Sequence, residues 1–260
     1  MLQHTPIYRR RSPRITSIFS TIVLVLGVGH CQAQEFLKET FEQYGLNNIW
    51  VQPNITDSGW SQWPTDVEPC NVIAKLAHGG SKSLYVNNPG DSDYYIGTGG
   101  VTKSAEWVEA ADAKVTYHRF YFYVPEEAES TQGFVLTFAL KETSEPTSVG
   151  AFIGIIHDER QGTAVLATNG SGDGTVEWKP AGRWEYGTWN RVDITQHYET
   201  RTFDVQVGDQ DPATDLNFRF AQTWEGNTRG EKAAASFAIS PGGQIYLDDI
   251  SFSTKPLPGN

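Results

Sequence analysis

The sequence is poor in cysteine: Cys31 and Cys70 are the only two in 260 residues. A disulfide-stapled mini-scaffold and a cysteine-rich metal centre are both excluded. Cations are scarce as well, with 20 Lys and Arg against 31 Asp and Glu and a formal net charge of −11. Such a balance disfavours nucleic acid and anionic membrane surfaces as partners. Long apolar runs are missing. The best, Ile18 to Val28, is broken by Ser20, Thr21 and Gly27 and falls short of the ~20 residues of a membrane span. His78, His118, His157 and His197 are widely spaced and form no His-x-x-x-His pair, so no nitrogen-ligated metal site is visible. Gly97-Thr98-Gly99-Gly100 precedes no helical segment, which removes a phosphate-cradling loop.

The N-terminus reads as a leader. Arg9, Arg10, Arg11 and Arg14 form a basic region, the short apolar run follows, and Cys31-Gln32-Ala33 supplies small residues at a cleavage point. That order is the pattern of a secretory signal peptide. Residues 1–33 are expected to be removed and 34–260 to fold as one domain. The removed segment holds four arginines and no acid, so the charge moves from −11 to −15. Cys31 leaves with it. Cys70 then stands alone in Glu68-Pro69-Cys70-Asn71, with no base beside it, and reads as a structural thiol.

What remains is dominated by strand signals punctuated by Gly, Pro, Asn and Asp. Val115 to Val124 is β-branched and aromatic throughout and is closed by Pro125. Phe134 to Leu140, Thr188 to Ile194 and Arg201 to Val207 alternate apolar and polar residues. Ala151 to Ile156 is apolar almost without break, as in a strand covered on both faces. Gly45 to Pro69 is rich in turn formers and reads as long loops. Glu231 to Ala235 is the one segment with some helical character, and it is too short to matter. About a dozen short strands imply an all-β fold, a two-sheet antiparallel β-sandwich.

The last strand, Ile245 to Phe252, carries Asp248-Asp249 in its middle. Strict period two would bury one of these carboxylates. A buried carboxylate needs a partner, either a cation or a set of backbone N–H groups.

The strand pattern over most of Phe36 to Ser253 resembles the concanavalin A-like lectin/glucanase superfamily, laminin-G-like jelly rolls included. The likeness rests on Gly187-Thr188-Trp189-Asn190-Arg191-Val192-Asp193-Ile194, on Thr202 to Val207, on Tyr121-Phe122-Tyr123-Val124-Pro125, and on the closing Tyr246-Leu247-Asp248-Asp249-Ile250. It implies a concanavalin A-like jelly roll whose closing strand meets the opening segment Glu39-Thr40-Phe41-Glu42. It also implies a structural calcium ion between those segments, nominating Glu42, Asp248 and Asp249 as metal ligands. Calcium takes six to eight oxygens, so carbonyls and water would supply the rest. The alternative is that the acidic pair faces solvent or caps a turn.

Hydrolases of this superfamily carry Glu-x-Asp-x-Glu along one strand, which sets the acids on one face for a retaining mechanism. Glu106-Trp107-Val108-Glu109-Ala110-Ala111-Asp112 comes nearest and has the wrong spacing. Lyases of this fold use a Tyr or His base with Arg. Tyr117, Arg119 and Tyr121 share one strand face and form the catalytic set of that alternative. His118 falls on the other face with Phe120 and Phe122 and reads as a core histidine. On a concave sheet the tyrosine face would stack on sugars; on a convex one it is ordinary covering. Eight tryptophans are many for one domain, and an indole face suits a pyranose ring. Trp60, Trp63, Trp178, Trp184 and Trp224 lie in loop-like stretches and are the expected ligand-binding residues. The sequence therefore reads as a secreted, non-catalytic carbohydrate-binding module with a polysaccharide or glycan partner. A polysaccharide lyase or hydrolase on the same fold is the first alternative. An extracellular adhesive module that binds protein is the second.

Overall fold

The computed structural model describes residues 35–48, 60–63, 70–88, 100–106, 114–128, 132–140, 148–158, 162–171, 175–218 and 232–259. The chain divides into two units, Met1–Gln32 and Ala33–Asn260, and every described residue belongs to the second.

Among the described residues there are fifteen strands and no helix. In chain order they are β1 (Glu35–Glu39), β2 (Asn47–Asn48), β3 (Trp60–Trp63), β4 (Cys70–Ile73), β5 (Ser83–Asn88), β6 (Gly100–Glu106), β7 (Val115–Tyr123) and β8 (Gln132–Leu140). There follow β9 (Ser148–Asp158), β10 (Gly162–Gly170), β11 (Val176–Gly182), β12 (Trp189–His197), β13 (Thr202–Val207), β14 (Ala213–Asn217) and β15 (Lys232–Ser253). Two strands fall in the Gly45–Pro69 stretch expected to be loops. The segment 232–235 is strand, not helix, because it lies against β8 and β6 and tertiary pairing overrides local propensity.

All pairings are antiparallel, and the strands form two sheets packed as a sandwich. One sheet runs β2-β4-β5-β15-β7-β12-β13-β14, with β1 beside the end of β15. The other runs β11-β10-β9-β8-β15-β6-β3. The long β15 serves both: residues 232–242 lie in the second sheet and 243–253 in the first. Gly243, at φ +125°, sits where the chain changes sheets, a conformation that side-chain-bearing residues rarely adopt. The opening and closing strands pair as expected, with Glu39 opposite Ile250.

Strand β7 shows why the sheet has two faces. Its even-numbered residues from Thr116 to Phe122 are buried, and its odd-numbered residues from Val115 to Tyr123 are only partly so. Phe120, Phe122, Ile194, Phe203, Val205 and Leu247 from the first sheet meet Ile153, Ile155 and Val165 from the second. Residues 151–155 are all buried, as the unbroken apolar run implied. The opening turn is held by Glu39, 1% exposed. Its carboxylate accepts from the Phe41 N–H at 3.0 Å, Gln43 Nε2 at 2.6 Å and the Tyr44 hydroxyl at 2.9 Å.

His118 lies in this core, beside Gln196 Nε2 at 2.7 Å and edge-on to Phe252. Burial pushes its pKa down to about 3, so the folded protein holds it neutral. Its contribution to stability is complete above pH 6.5 and is lost as pH falls from there toward 3. Asp248 has the opposite sign. Desolvation raises it from 3.8 to about 6, so its contribution is complete below 3.8 and is lost as pH rises through 6. The two slopes therefore oppose each other between about pH 4 and 6. Replacing Asp248 by Asn should unmask the histidine. Denaturant titrations across that window are expected to show stability rising with pH by up to about 1.4 kcal/mol per unit relative to wild type. Parallel profiles would contradict the assignment.

Candidate functional site: an aromatic sheet face and the loop clamped over it

The outward face of the first sheet carries a row of rings. Tyr85 on β5 lies opposite Tyr246 on β15, Tyr246 opposite Tyr123 on β7, and Tyr123 opposite Trp189 on β12. Ring centroids are 4.8 Å apart for Tyr85–Tyr246, 5.8 Å for Tyr246–Tyr123 and 5.7 Å for Tyr123–Trp189. Four adjacent strands at ~4.8 Å spacing make this row about 14 Å long. Tyr85, Tyr123 and Trp189 are half-buried, and Tyr246 is 9% exposed. Burial raises the pKa of both Tyr85 and Tyr246, and the nearby Glu127 adds to the shift at Tyr246. The phenols stay neutral hydrogen-bonding groups.

Loop 76–82 reaches this face and is clamped at both ends. At one end the Ser81 and Lys82 N–H groups donate to Glu42 Oε1, each at 2.7 Å, and Ser81 Oγ donates to Oε2 at 2.8 Å. These bonds lower the Glu42 pKa. Lys82 Nζ donates to the carbonyls of Glu42 at 2.8 Å and Tyr44 at 2.6 Å. Gly80 sits at φ +68°, and a Cβ there would lie 2.6 Å from Glu42 Oε1. At the other end Asp248, fully buried, accepts from the N–H groups of His78 at 2.8 Å, Gly79 at 3.1 Å and Asp249 at 2.8 Å. In β15 the register is irregular between Asp248 and Ser251, with Asp249 at φ +46°. Between the clamps, the His78 ring stacks on Tyr121 at 3.6 Å and meets Trp189 edge-on at 5.8 Å.

Below the rings runs an ion-pair ladder. Asp193, with 4% of its side chain exposed, lies between two arginines. Arg119 Nε is 2.5 Å from Oδ1 and Arg191 Nε is 2.9 Å from Oδ2. Arg119 also donates to the Pro258 carbonyl at 2.7 Å. Arg191 donates to the Gly208 carbonyl at 2.5 Å and to Asp209 at 2.9 Å.

Glu42, Asp248 and Asp249 thus gather around one loop, but not around a common point. Each has protein donors on its carboxylate, and a lysine ammonium takes the Glu42 and Tyr44 carbonyls. Among the described residues no three His, Cys, Asp or Glu side chains are arranged to hold a metal ion. This donor set does not fit calcium, which needs six to eight oxygens facing one cation. The partner of the buried Asp248 is a set of backbone N–H groups. Excess EDTA is therefore expected to leave the melting temperature unchanged, whereas Lys82→Met should cost ~1–2 kcal/mol through the lost charged hydrogen bonds. A fall in melting temperature on chelation, reversed by calcium, would overturn this reading.

Tyr117, Arg119 and Tyr121 do share the outward face of β7. Arg119 is engaged by Asp193 and the Pro258 carbonyl, and Tyr121 lies beneath His78. The tryptophans separate. Trp184, expected on the binding surface, is 1% exposed in the core. Its indole N–H lies 3.0 Å from the Ile156 carbonyl and 3.2 Å from that of Ala164, so it is removed from any surface site. Trp178 is 37% exposed on β11 and packs edge-on against Phe152, on the other sheet. Trp60 and Trp63 are strand residues of β3 opposite Lys103 and Gly100, and their side chains lie outside the described residues. Trp224 lies outside them altogether. Tyr85, Trp189, Tyr246 and His78 were not singled out by sequence reasoning. For the tyrosines the signal was local, since Tyr85 and Tyr246 alternate with Leu84, Val86, Ile245 and Leu247. The registers that align them were not readable.

No protein-family model and no curated protein matches the chain. Among solved structures, a carbohydrate esterase from Shiga toxin-encoding bacteriophage phi24B aligns over 86% of this chain and 100% of its own, at 14% identity and a TM-score of 0.52. The binding domain of botulinum neurotoxin DC, solved with rat synaptotagmin II, aligns over 86% of this chain and 48% of its own, at 13% identity and a TM-score of 0.46. A Trypanosoma rangeli sialidase solved with the inhibitor DANA aligns over 73% and 28%, at 16% identity and a TM-score of 0.44. The present chain spans less than half the length of the last two. The phage likeness shows a shared fold and nothing finer.

Proposed function

We propose that this chain is a secreted, non-catalytic carbohydrate-binding module of concanavalin A-like type, with residues 1–33 as its leader. The observation that carries the reading is the row Tyr85–Tyr246–Tyr123–Trp189 across four strands. The half-buried rings of Tyr85, Tyr123 and Trp189 offer apolar surface for sugar rings around Tyr246, which is only 9% exposed, and phenols at their edges supply hydrogen bonds. A lyase needs a base and a cation for the carboxylate it neutralises. Arg119, the cation in the nominated set, already pairs with Asp193.

The test is a glycan array read together with product release. Binding without new oligosaccharide or unsaturated product supports the module. Turnover would replace it with the enzyme alternative. Tyr123→Ala, which removes the ring at the centre of the row, should weaken binding about tenfold, the equivalent of ~1.4 kcal/mol, measured where the variant is still folded.

A further inference from the structure

We infer that His78 is the polar contact of this aromatic site, donating or accepting through Nε2 to a hydroxyl of a neutral glycan lying on the row. The inference rests on the carbohydrate-binding reading and adds to it both a residue and a ligand class.

The His78 imidazole is firmly placed for a partly exposed side chain. Asp248 spends a fully buried carboxylate on the backbone N–H groups of His78 and Gly79. Asp249 takes a left-handed backbone, φ +46°, on a residue that is not glycine. Aspartate tolerates that conformation, and it falls at the register irregularity of β15. Its side chain then reaches His78 Nδ1 at 2.6 Å. Gly79 leaves the room for it, since a Cβ there would lie 2.6 Å from Asp249 Oδ2. The ring itself is stacked on Tyr121 and set edge-on to Trp189. With Nδ1 fixed by a carboxylate, the ring orientation is fixed, and Nε2 has no partner among the described residues. A side chain 31% exposed gains little stability from so much support. The support makes sense for a group that must meet a ligand in one orientation.

The ligand class follows from the charges around it. The arginines of this face, Arg119 and Arg191, are both paired with Asp193, and Arg191 also with Asp209. Lys82 points at two carbonyls. Glu127 lies near Tyr246 and Asp249 touches His78. A uronate or sulfate would meet carboxylates here and would have to compete for cations already paired. A neutral sugar meets rings, phenols and one oriented imidazole.

Wild type, His78→Ala, His78→Gln and Asp249→Asn are titrated with cellohexaose, laminarihexaose, xylohexaose and mannohexaose, with polygalacturonate as the anionic probe, alongside thermal melts. Asn tolerates the left-handed conformation at position 249. The expected result is binding of at least one neutral hexaose. That binding falls about tenfold in His78→Ala, falls less in His78→Gln and Asp249→Asn, and melting temperatures hold. Unchanged affinity in His78→Ala would overturn the role of His78 while leaving the aromatic row intact. Polygalacturonate binding as tight as the best neutral hexaose would overturn the ligand class. Binding of none of the probes by wild type would overturn both this inference and the reading beneath it.

Discussion

Replacing Asp193 by alanine is expected to cost about 3–5 kcal/mol of folding stability, the range for removing one member of a buried ion pair. The carboxylate is 4% exposed and bridges Arg119 and Arg191, whose side chains are 10% and 21% exposed. Taking it away leaves two partly buried guanidinium groups on adjacent strands without their shared anion, with Arg191 keeping only the exposed Asp209. For a domain of this size that loss lowers the melting temperature by roughly 6–20 °C. Denaturant titration measures it directly. Asp193→Asn should lose less, because the amide oxygen still accepts one hydrogen bond. Replacing Arg119, Asp193 and Arg191 together by apolar residues of similar volume should recover much of the stability, since desolvation then disappears along with attraction. If Asp193→Ala melts within about 1 kcal/mol of wild type, the ladder is solvated and the neutral character assigned to the face above it fails with it.

Trp184→Ala should cost a similar amount, about 3–5 kcal/mol, for a different reason. The ring is 1% exposed and packs edge-on against Phe122 at 5.8 Å and Tyr186 at 4.6 Å. Its N–H bridges the carbonyls of Ile156 and Ala164 on neighbouring strands. Truncation leaves a cavity and two carbonyls short of a donor. Trp184→Phe fills much of the volume but not the hydrogen bonds, so its smaller loss, about 1–3 kcal/mol, isolates the polar part. Glycan affinity of whatever fraction remains folded should be unchanged in both. A variant that keeps its stability and loses binding would return Trp184 to the surface, where the sequence suggested it.

Those two residues show where a single sequence is informative. Trp184 sits in Gly182-Arg183-Trp184-Glu185, with polar neighbours on both sides, and looks like a loop residue. It is buried because the turn after β11 folds back over β9 and β10, a long-range fact with no local trace. Asp193, by contrast, stands in a cleanly alternating strand, yet its side chain does not face bulk water. Its neighbour Arg119 comes from register, 74 residues away in sequence, whereas Arg191, two residues away on the same strand, shares its face by alternation.

The sandwich itself was legible, because two-residue alternation in β7 and β13 reports directly which side is covered. The pairing of first and last strands was legible too. So was the interruption at Asp248-Asp249, since a broken alternation must become a bulge or a buried charge. What filled the interruption was not: six to eight oxygens and three backbone N–H groups are equally compatible with two adjacent acids. The site was legible only in its parts. Each tyrosine of the row alternates correctly within its own strand, but stacking across β5, β15, β7 and β12 depends on three registers at once. A one-residue slip in any of them would turn that strand's rings to the other face.

Calorimetric titration of wild type and the double variant Tyr85→Ala/Tyr123→Ala with the tightest ligand from the glycan array decides whether the row holds a sugar. The expected result is measurable binding by the wild type and a loss of at least about tenfold in the double variant, read at a temperature where both proteins are folded. Equal affinity in the two proteins would contradict it, because the rings aligned across four strands would then have no part in holding a sugar.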